Sequence, residues 1–164
     1  MNRLSAFNIE NTPSAADMRF GIVVSEWNVE ITEALFEGCY NTLISLGANP
    51  AHIIRKNVPG SFELPSGAHY FAEYSNVDAV LCLGCVIQGE TKHFDFICSA
   101  VAQGITSLNL QYALPFIFGV LTTNNLTQAK ERAGGKHGNK GDEAAVSAVK
   151  MVALKREMIG KMIF

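Results

Sequence analysis

The stretch AVLCLGCVI, from Ala79 to Ile87, decides the fold. It is a short apolar run with no break, well under the 18 or so residues that a membrane-spanning helix needs. Such a run reads as a strand buried on both faces, the kind found inside a parallel sheet. Cys82 and Cys85 stand three apart within it, so the pleat turns their side chains to opposite sides. Two opposed sulfurs cannot share a metal, and no second CxxC accompanies them.

Outward from this strand the chain alternates. Phe20-Gly-Ile-Val-Val-Ser25 is a second buried strand, and Ile53 to Val58 is another. A fourth runs from Phe116 to Leu121, behind Pro115. Between them, Ile31, Leu35, Cys39, Leu43 and Leu46 fall at spacings of three and four, which predicts an amphipathic helix stopped by Gly47 at the C′ position. Pro65 suits the first turn of a helix to about Tyr74. Further helices are expected from about Phe94 to Leu110, from Leu126 to Ala133 with Gly134-Gly135 ending it, and from Glu143 to Met162. Strands alternating with helices predict a four-stranded parallel sheet covered on both faces, with right-handed crossovers. The expected fold is therefore α/β: a flavodoxin-like three-layer α/β/α sandwich. Residues 1–18 read as an N-terminal arm and residues 19–164 as one domain.

With 48% apolar and 17% charged residues, the chain has the composition of a packed globular protein. The net charge of -2 gives no pull toward nucleic acid or an anionic membrane. The segment Met1 to Met18 is polar and carries Glu10 and Asp17, unlike a signal peptide. The expected location is the cytoplasm, where the four cysteines, Cys39, Cys82, Cys85 and Cys98, act as small buried hydrophobes. Ten Phe suggest a surface covered by another subunit, since aromatics are enriched at such contacts.

In a sheet of this kind, ligands bind outside the carboxyl ends of the strands. The loops at those ends are Ser25–Asn28, Pro59–Glu63, Gln88–His93 and Thr122–Asn125. Trp27, the only tryptophan, is either a plug at the core edge or a stacking surface for a flat heterocycle. Glu63 either answers a helix dipole or accepts hydrogen bonds from ligand hydroxyls, with the backbone of residues 61–62 adding donors. Gly89-Glu90-Thr91 leads into a helix, so its N–H groups and the Thr91 hydroxyl can cradle an anion. His93 at the same helix start is either structural or a proton carrier near neutral pH. Arg132 suits the end of a short helix, and equally suits a bidentate clamp on phosphate. The cations of GGKHGNKG are too few for a nucleic-acid patch, and no aromatic platform accompanies them. The residues thus point to a phosphorylated ligand, a planar ring and proton transfer.

Five segments in order, FGIVVSEWN (20–28), NVPGSFELP (57–65), LGCVIQGETKHFDF (83–96), IFGVLTTNNLTQAKERAGGKHGNKG (117–141) and EAAVSAVKM (143–151), resemble the lumazine synthase family. The resemblance spans about Phe20 to Met158. It implies condensation of 5-amino-6-(ribitylamino)uracil with 3,4-dihydroxy-2-butanone 4-phosphate, giving 6,7-dimethyl-8-ribityllumazine and phosphate without cofactor or metal. It further implies that Trp27 stacks on the pyrimidine ring, that Ser61, Phe62 and Glu63 hold the ribityl chain, and that Val86 and Ile87 contact the ring. Glu90 and Thr91 match the positions that meet the phosphate, and His93 the proposed proton-transfer residue. Phe118, Arg132 and Lys140 match positions supplied by a neighbouring subunit: a wall, the phosphate clamp and a donor to a ring carbonyl.

The implied assembly is a homo-oligomer with active sites between adjacent subunits, a pentamer or a shell of sixty chains. The compact Gly135–Asn139 connection favours the shell. Two positions depart from the family pattern: Gln88 stands where many relatives carry a basic residue, and Lys92 where a small or apolar one is common. A flavodoxin-type electron carrier is disfavoured, because no Ser/Thr-rich phosphate loop follows the first strand.

Overall fold

The computed structural model describes residues 9–160. Its elements in order are β1 (Phe20–Ser25), α1 (Val29–Ser45), β2 (Ile53–Val58), α2 (Leu64–Tyr74), β3 (Ala79–Ile87), α3 (His93–Gln111), β4 (Phe116–Thr123), α4 (Leu126–Arg132), β5 (Ala133–Gly135), β6 (Gly138–Asn139) and α5 (Lys140–Gly160). Strands β1 to β4 form one parallel sheet in the order β2-β1-β3-β4. The fold is the α/β three-layer arrangement that the alternating pattern predicts.

The pleat divides the core into two layers. Ile22, Val24, Leu81, Leu83 and Cys85 face one side, where they meet Leu35 and Leu43 of α1 and Ala145 and Val149 of α5. Val23, Val80 and Cys82 face the other, against Leu64 and Phe71 of α2 and Ile105 of α3. Cys82 and Cys85 thus lie in different layers, as opposed positions on a strand must. Gly47 ends α1 with φ 94°, a left-handed C′ residue. Where α1 and α5 cross, the backbones touch: a Cβ at Gly141 would lie 1.9 Å from the Leu35 carbonyl oxygen.

Three boundaries differ from the sequence reading. Helix α1 begins two residues earlier, at Val29, and β4 continues through Thr122 and Thr123. The stretch after α4 is not a plain loop. It holds a small antiparallel hairpin of β5 and β6, with Gly134 and Gly138 at positive φ. Its strands are three and two residues long and rich in glycine, so no side-chain alternation marks them. Asn139 then anchors α5 three residues ahead of the expected Glu143: its Oδ1 accepts from the Gly141 N–H at 2.8 Å and its Nδ2 donates to the Ala34 carbonyl at 2.9 Å.

From Ile9 on, the stretch read as an arm lies against the domain. Ala15 and Met18 are buried in the α1/α5 layer, and the Ala15 N–H donates to the Leu46 carbonyl at 2.8 Å. Residues 1–8 of the arm, and the expected end of the last helix beyond Gly160, lie outside the described residues.

Candidate active site

The carboxyl ends of β1, β2 and β3 bring one group of the expected residues together. After β1 the chain is tied to the end of β2: the Glu26 N–H donates to the Val58 carbonyl at 2.9 Å, and the Trp27 N–H to the Pro59 carbonyl at 3.3 Å. Trp27 is therefore held by its backbone while its indole stands out, 72% exposed. An exposed indole on a fixed backbone is no plug for the core.

Gly60 sets the spacing beside it. A Cβ there would lie 3.4 Å from Trp27 Cδ1 and 3.2 Å from Glu63 Oε2. The missing side chain leaves a gap about one methyl group wide between the edge of the indole and the carboxylate. The turn Ser61–Glu63 is a single 3-10 turn, closed by the Glu63 N–H donating to the Gly60 carbonyl at 3.2 Å, and it runs straight into α2. Phe62 is exposed, while the Ser61 hydroxyl is buried with no hydrogen-bond partner, as is that of Ser25. Both hydroxyls lie over the central strand, 2.6 and 3.4 Å from where a Cβ of Gly84 would be. Nothing in the sequence pattern signalled this pair.

On the Glu63 side, a cavity of about 830 Å³ runs along β2 and α2, lined by Asn57, Val58, Pro59 and Glu63 at its upper end and by Tyr70 and Tyr74 lower down. That is ample for a ligand of a few fused rings and a sugar-like chain.

Val86 and Ile87 end β3 half-buried. Glu90, Thr91 and His93 follow, all exposed. The Thr91 Oγ1 accepts from the His93 N–H at 3.3 Å, which leaves the hydroxyl proton of Thr91 to donate elsewhere. In the first turn of α3 the Asp95 and Phe96 N–H groups donate to the Lys92 carbonyl at 3.1 and 3.4 Å. A hydroxyl donor beside a helix N-terminus suits an anion.

The remaining three residues lie apart from this group. Phe118 is on β4, at the sheet edge opposite β2, and is 37% exposed. Arg132 ends α4, exposed, with its guanidinium donating to the Gln128 carbonyl at 3.2 Å. Lys140 opens α5, its Nζ 2.9 Å from Glu143. Asn28 joins the near group unforeseen. Its place just before a helix reads as an N-cap, yet it makes no cap bond; its Nδ2 donates instead to the Cys85 carbonyl at 2.9 Å.

Comparison with known proteins places the chain in a family. A family model described as 6,7-dimethyl-8-ribityllumazine synthase matches residues 17–156. A protein of that name from Cytophaga hutchinsonii is 61% identical over 150 residues, covering 92% of this chain and 94% of its own. One from Parabacteroides distasonis is 57% identical over 149 residues, covering 91% and 93%. One from Phocaeicola vulgatus is 47% identical over 163 residues, covering 99% and 97%. With the match spanning nearly all of both sequences, the chain belongs to the 6,7-dimethyl-8-ribityllumazine synthase family.

Proposed function

We propose that the family's condensation takes place in the gap between Trp27 and Glu63, and that a second copy of the chain completes the site with Phe118, Arg132 and Lys140. The reaction itself is a transfer, the penultimate step of riboflavin biosynthesis: 5-amino-6-(ribitylamino)uracil and 3,4-dihydroxy-2-butanone 4-phosphate give 6,7-dimethyl-8-ribityllumazine, phosphate and two waters.

The observation that carries the shared site is the separation of its halves. The cavity beside Glu63 lies along β2, while Phe118 lies on β4. Three strand spacings, about 14 Å, separate those edges. Copies that set the β4 side of one against the β2 side of the next use two different surfaces, so a closed ring forms a site between each adjacent pair. A pentamer does this, alone or as twelve rings in a shell of sixty chains, and the short β5–β6 hairpin leaves room for the shell. The four thiols suit a reducing, cytoplasmic setting.

Each residue then has a task. Trp27 stacks on the pyrimidine, with Val86 and Ile87 on the ring edge. Ser61 and Phe62 hold the ribityl chain with the Glu63 carboxylate, which accepts from its hydroxyls. Glu90, Thr91 and the α3 start receive the phosphate, clamped across the interface by Arg132, while Lys140 donates to a ring carbonyl. The amino group adds to the ketone and water leaves, giving an imine. A proton then leaves the neighbouring carbon, the C–O bond to phosphate breaks with its electron pair going to phosphate, and the enol becomes a ketone. The ribitylamino nitrogen closes on that ketone and the second water leaves. His93 carries protons between these steps, and proximity supplies most of the acceleration.

Mixing two impaired variants, assayed at butanone phosphate too dilute to restore Arg132→Ala, tests the shared site. Glu63→Ala and Arg132→Ala, co-refolded in equal amounts, should recover about a quarter of wild-type activity, the share of interfaces that draw both intact halves. Mixed oligomers with no recovery would sink the shared site and leave each chain acting alone.

A further inference from the structure

The geometry points to Asn28 as a positioning residue that sets the distance between the Trp27 indole and the end of strand β3. It rests on the reading that Trp27 stacks on the pyrimidine. Two features of Asn28 carry it. First, among the described residues it is the one non-glycine with positive φ, at φ 59° and ψ 48°. That left-handed turn sharply reverses the chain between β1 and α1, directly after Trp27. Asparagine tolerates it better than most residues, whereas a β-branched residue there would be strained.

Second, its side chain replaces a missing strand. The ladder between β1 and β3 ends at the pair Val24 and Leu83, while that between β3 and β4 continues to Ile87 and Thr123. Beyond Leu83, β3 has a neighbour on one side only. The Asn28 Nδ2 fills the open side by donating to the Cys85 carbonyl at 2.9 Å. Since a carbonyl only accepts, the amide nitrogen must face it. The next residues on β3 are Val86 and Ile87, which pair with β4 on one side and have no strand on the other. The split leaves the ends of β1 and β3 outside the ladder, linked there by the Asn28 hydrogen bond. Trp27 is covalently attached to one end of that bond, and the ring-facing residues to the other. The width of the stacking slot therefore depends on Asn28.

Two substitutions separate backbone from tether. Asn28→Gly keeps the left-handed turn and removes the side-chain bond. Asn28→Asp keeps the shape and turn but sets a carboxylate against the Cys85 carbonyl. In the full-length enzyme, each should raise KM for the ribitylaminouracil about five- to tenfold, the worth of one buried hydrogen bond. KM for the butanone phosphate should stay within about twofold, since the anion site is untouched. Trp27, as the only tryptophan, supplies the spectroscopic readout. Its emission in the free protein should shift, and the concentration of 6,7-dimethyl-8-ribityllumazine needed to quench it should rise by the same factor as KM.

A merely structural role would lower the folded fraction, hence apparent kcat, with both KM values and the emission of the folded protein unmoved; that result overturns the proposal. Trp27→Ala tells this failure from that of stacking. If Trp27→Ala raises the ribitylaminouracil KM but Asn28→Gly does not, stacking stands and the role of Asn28 falls. If Asn28→Gly raises that KM and Trp27→Ala does not, Asn28 acts on something other than the indole, and the proposal falls with the stacking reading.

Discussion

The two groups of site residues differ in what holds them. The near group, Trp27 with Ser61–Glu63 and Val86–His93, is knit across three strand ends by backbone bonds from Glu26 and Trp27 and by the Asn28 tether. Its polar groups include the half-buried Glu63 and the exposed Thr91. The far group is built from local pairs. Arg132 donates to a carbonyl of its own helix, and Lys140 pairs with Glu143. One half is tied together across several elements; the other holds its cations in short local contacts. In the proposed site, binding geometry would belong to the near half and charge to the far half.

Removing His93, the proposed proton carrier, probes the near half and should have the largest effect. His93→Ala is expected to slow turnover on the order of 10²-fold without abolishing it. Total loss of activity in a folded variant would mean that position alone contributes little, and the near half would no longer be the one that supplies geometry. Arg132→Ala comes next. Losing a charge-assisted hydrogen bond of roughly 1.5–3 kcal/mol should weaken apparent affinity for the butanone phosphate by about 10- to 150-fold. Steady-state kinetics with that substrate varied at saturating ribitylaminouracil measure it, and unchanged affinity would remove the clamp.

Asn139→Ala tests whether the far half has an anchor of its own. It loses both bonds that fix the start of α5, to Ala34 and from Gly141, at a cost of about 1–3 kcal/mol. Denaturant unfolding should show this drop; unchanged stability would mean that the α1–α5 contact at Gly141 holds Lys140 in place unaided. The smallest effect is a pH slope. Burial raises the Asp142 carboxyl above its ordinary value, partly opposed by the Thr42 hydroxyl that donates to it. A carboxyl raised in the folded state binds its proton more tightly there than in the unfolded chain. The stabilisation is therefore full below the ordinary aspartate pKa of about 4 and fades as pH rises through the raised value. Asp142→Asn should gain on wild type over that window. Parallel unfolding curves at every pH would contradict it.

The strands and the near half were the legible parts of this sequence. Unbroken apolar runs mark β1 and β3, whose residues face two packed layers, so composition alone carries them. The loops at their carboxyl ends follow from parallel topology. Illegible were features that depend on another part of the chain. The Asn28 side chain answers a carbonyl 57 positions away, and the Asn139 side chain one 105 away. Gly134 and Gly138 shape a hairpin through their φ angles and carry no side-chain pattern at all. The buried hydroxyls of Ser25 and Ser61 meet only because the sheet brings β1, β3 and the 61–63 turn together.

The partition of the core by β3 also decides how this protein can be labelled. Cys82 and Cys85 lie in separate layers, their thiols pushed by burial up to about 12 and about 11, and Cys39 is raised further still. A thiolate is the reactive form, so these three are silent toward maleimide dyes in the folded state. Cys98 on α3, only partly covered, remains as a single address, and because its thiol is also raised the coupling speeds up as the buffer is made more alkaline. The native sequence thus takes one dye per chain at a known position, with Trp27 as an intrinsic donor elsewhere on the same molecule.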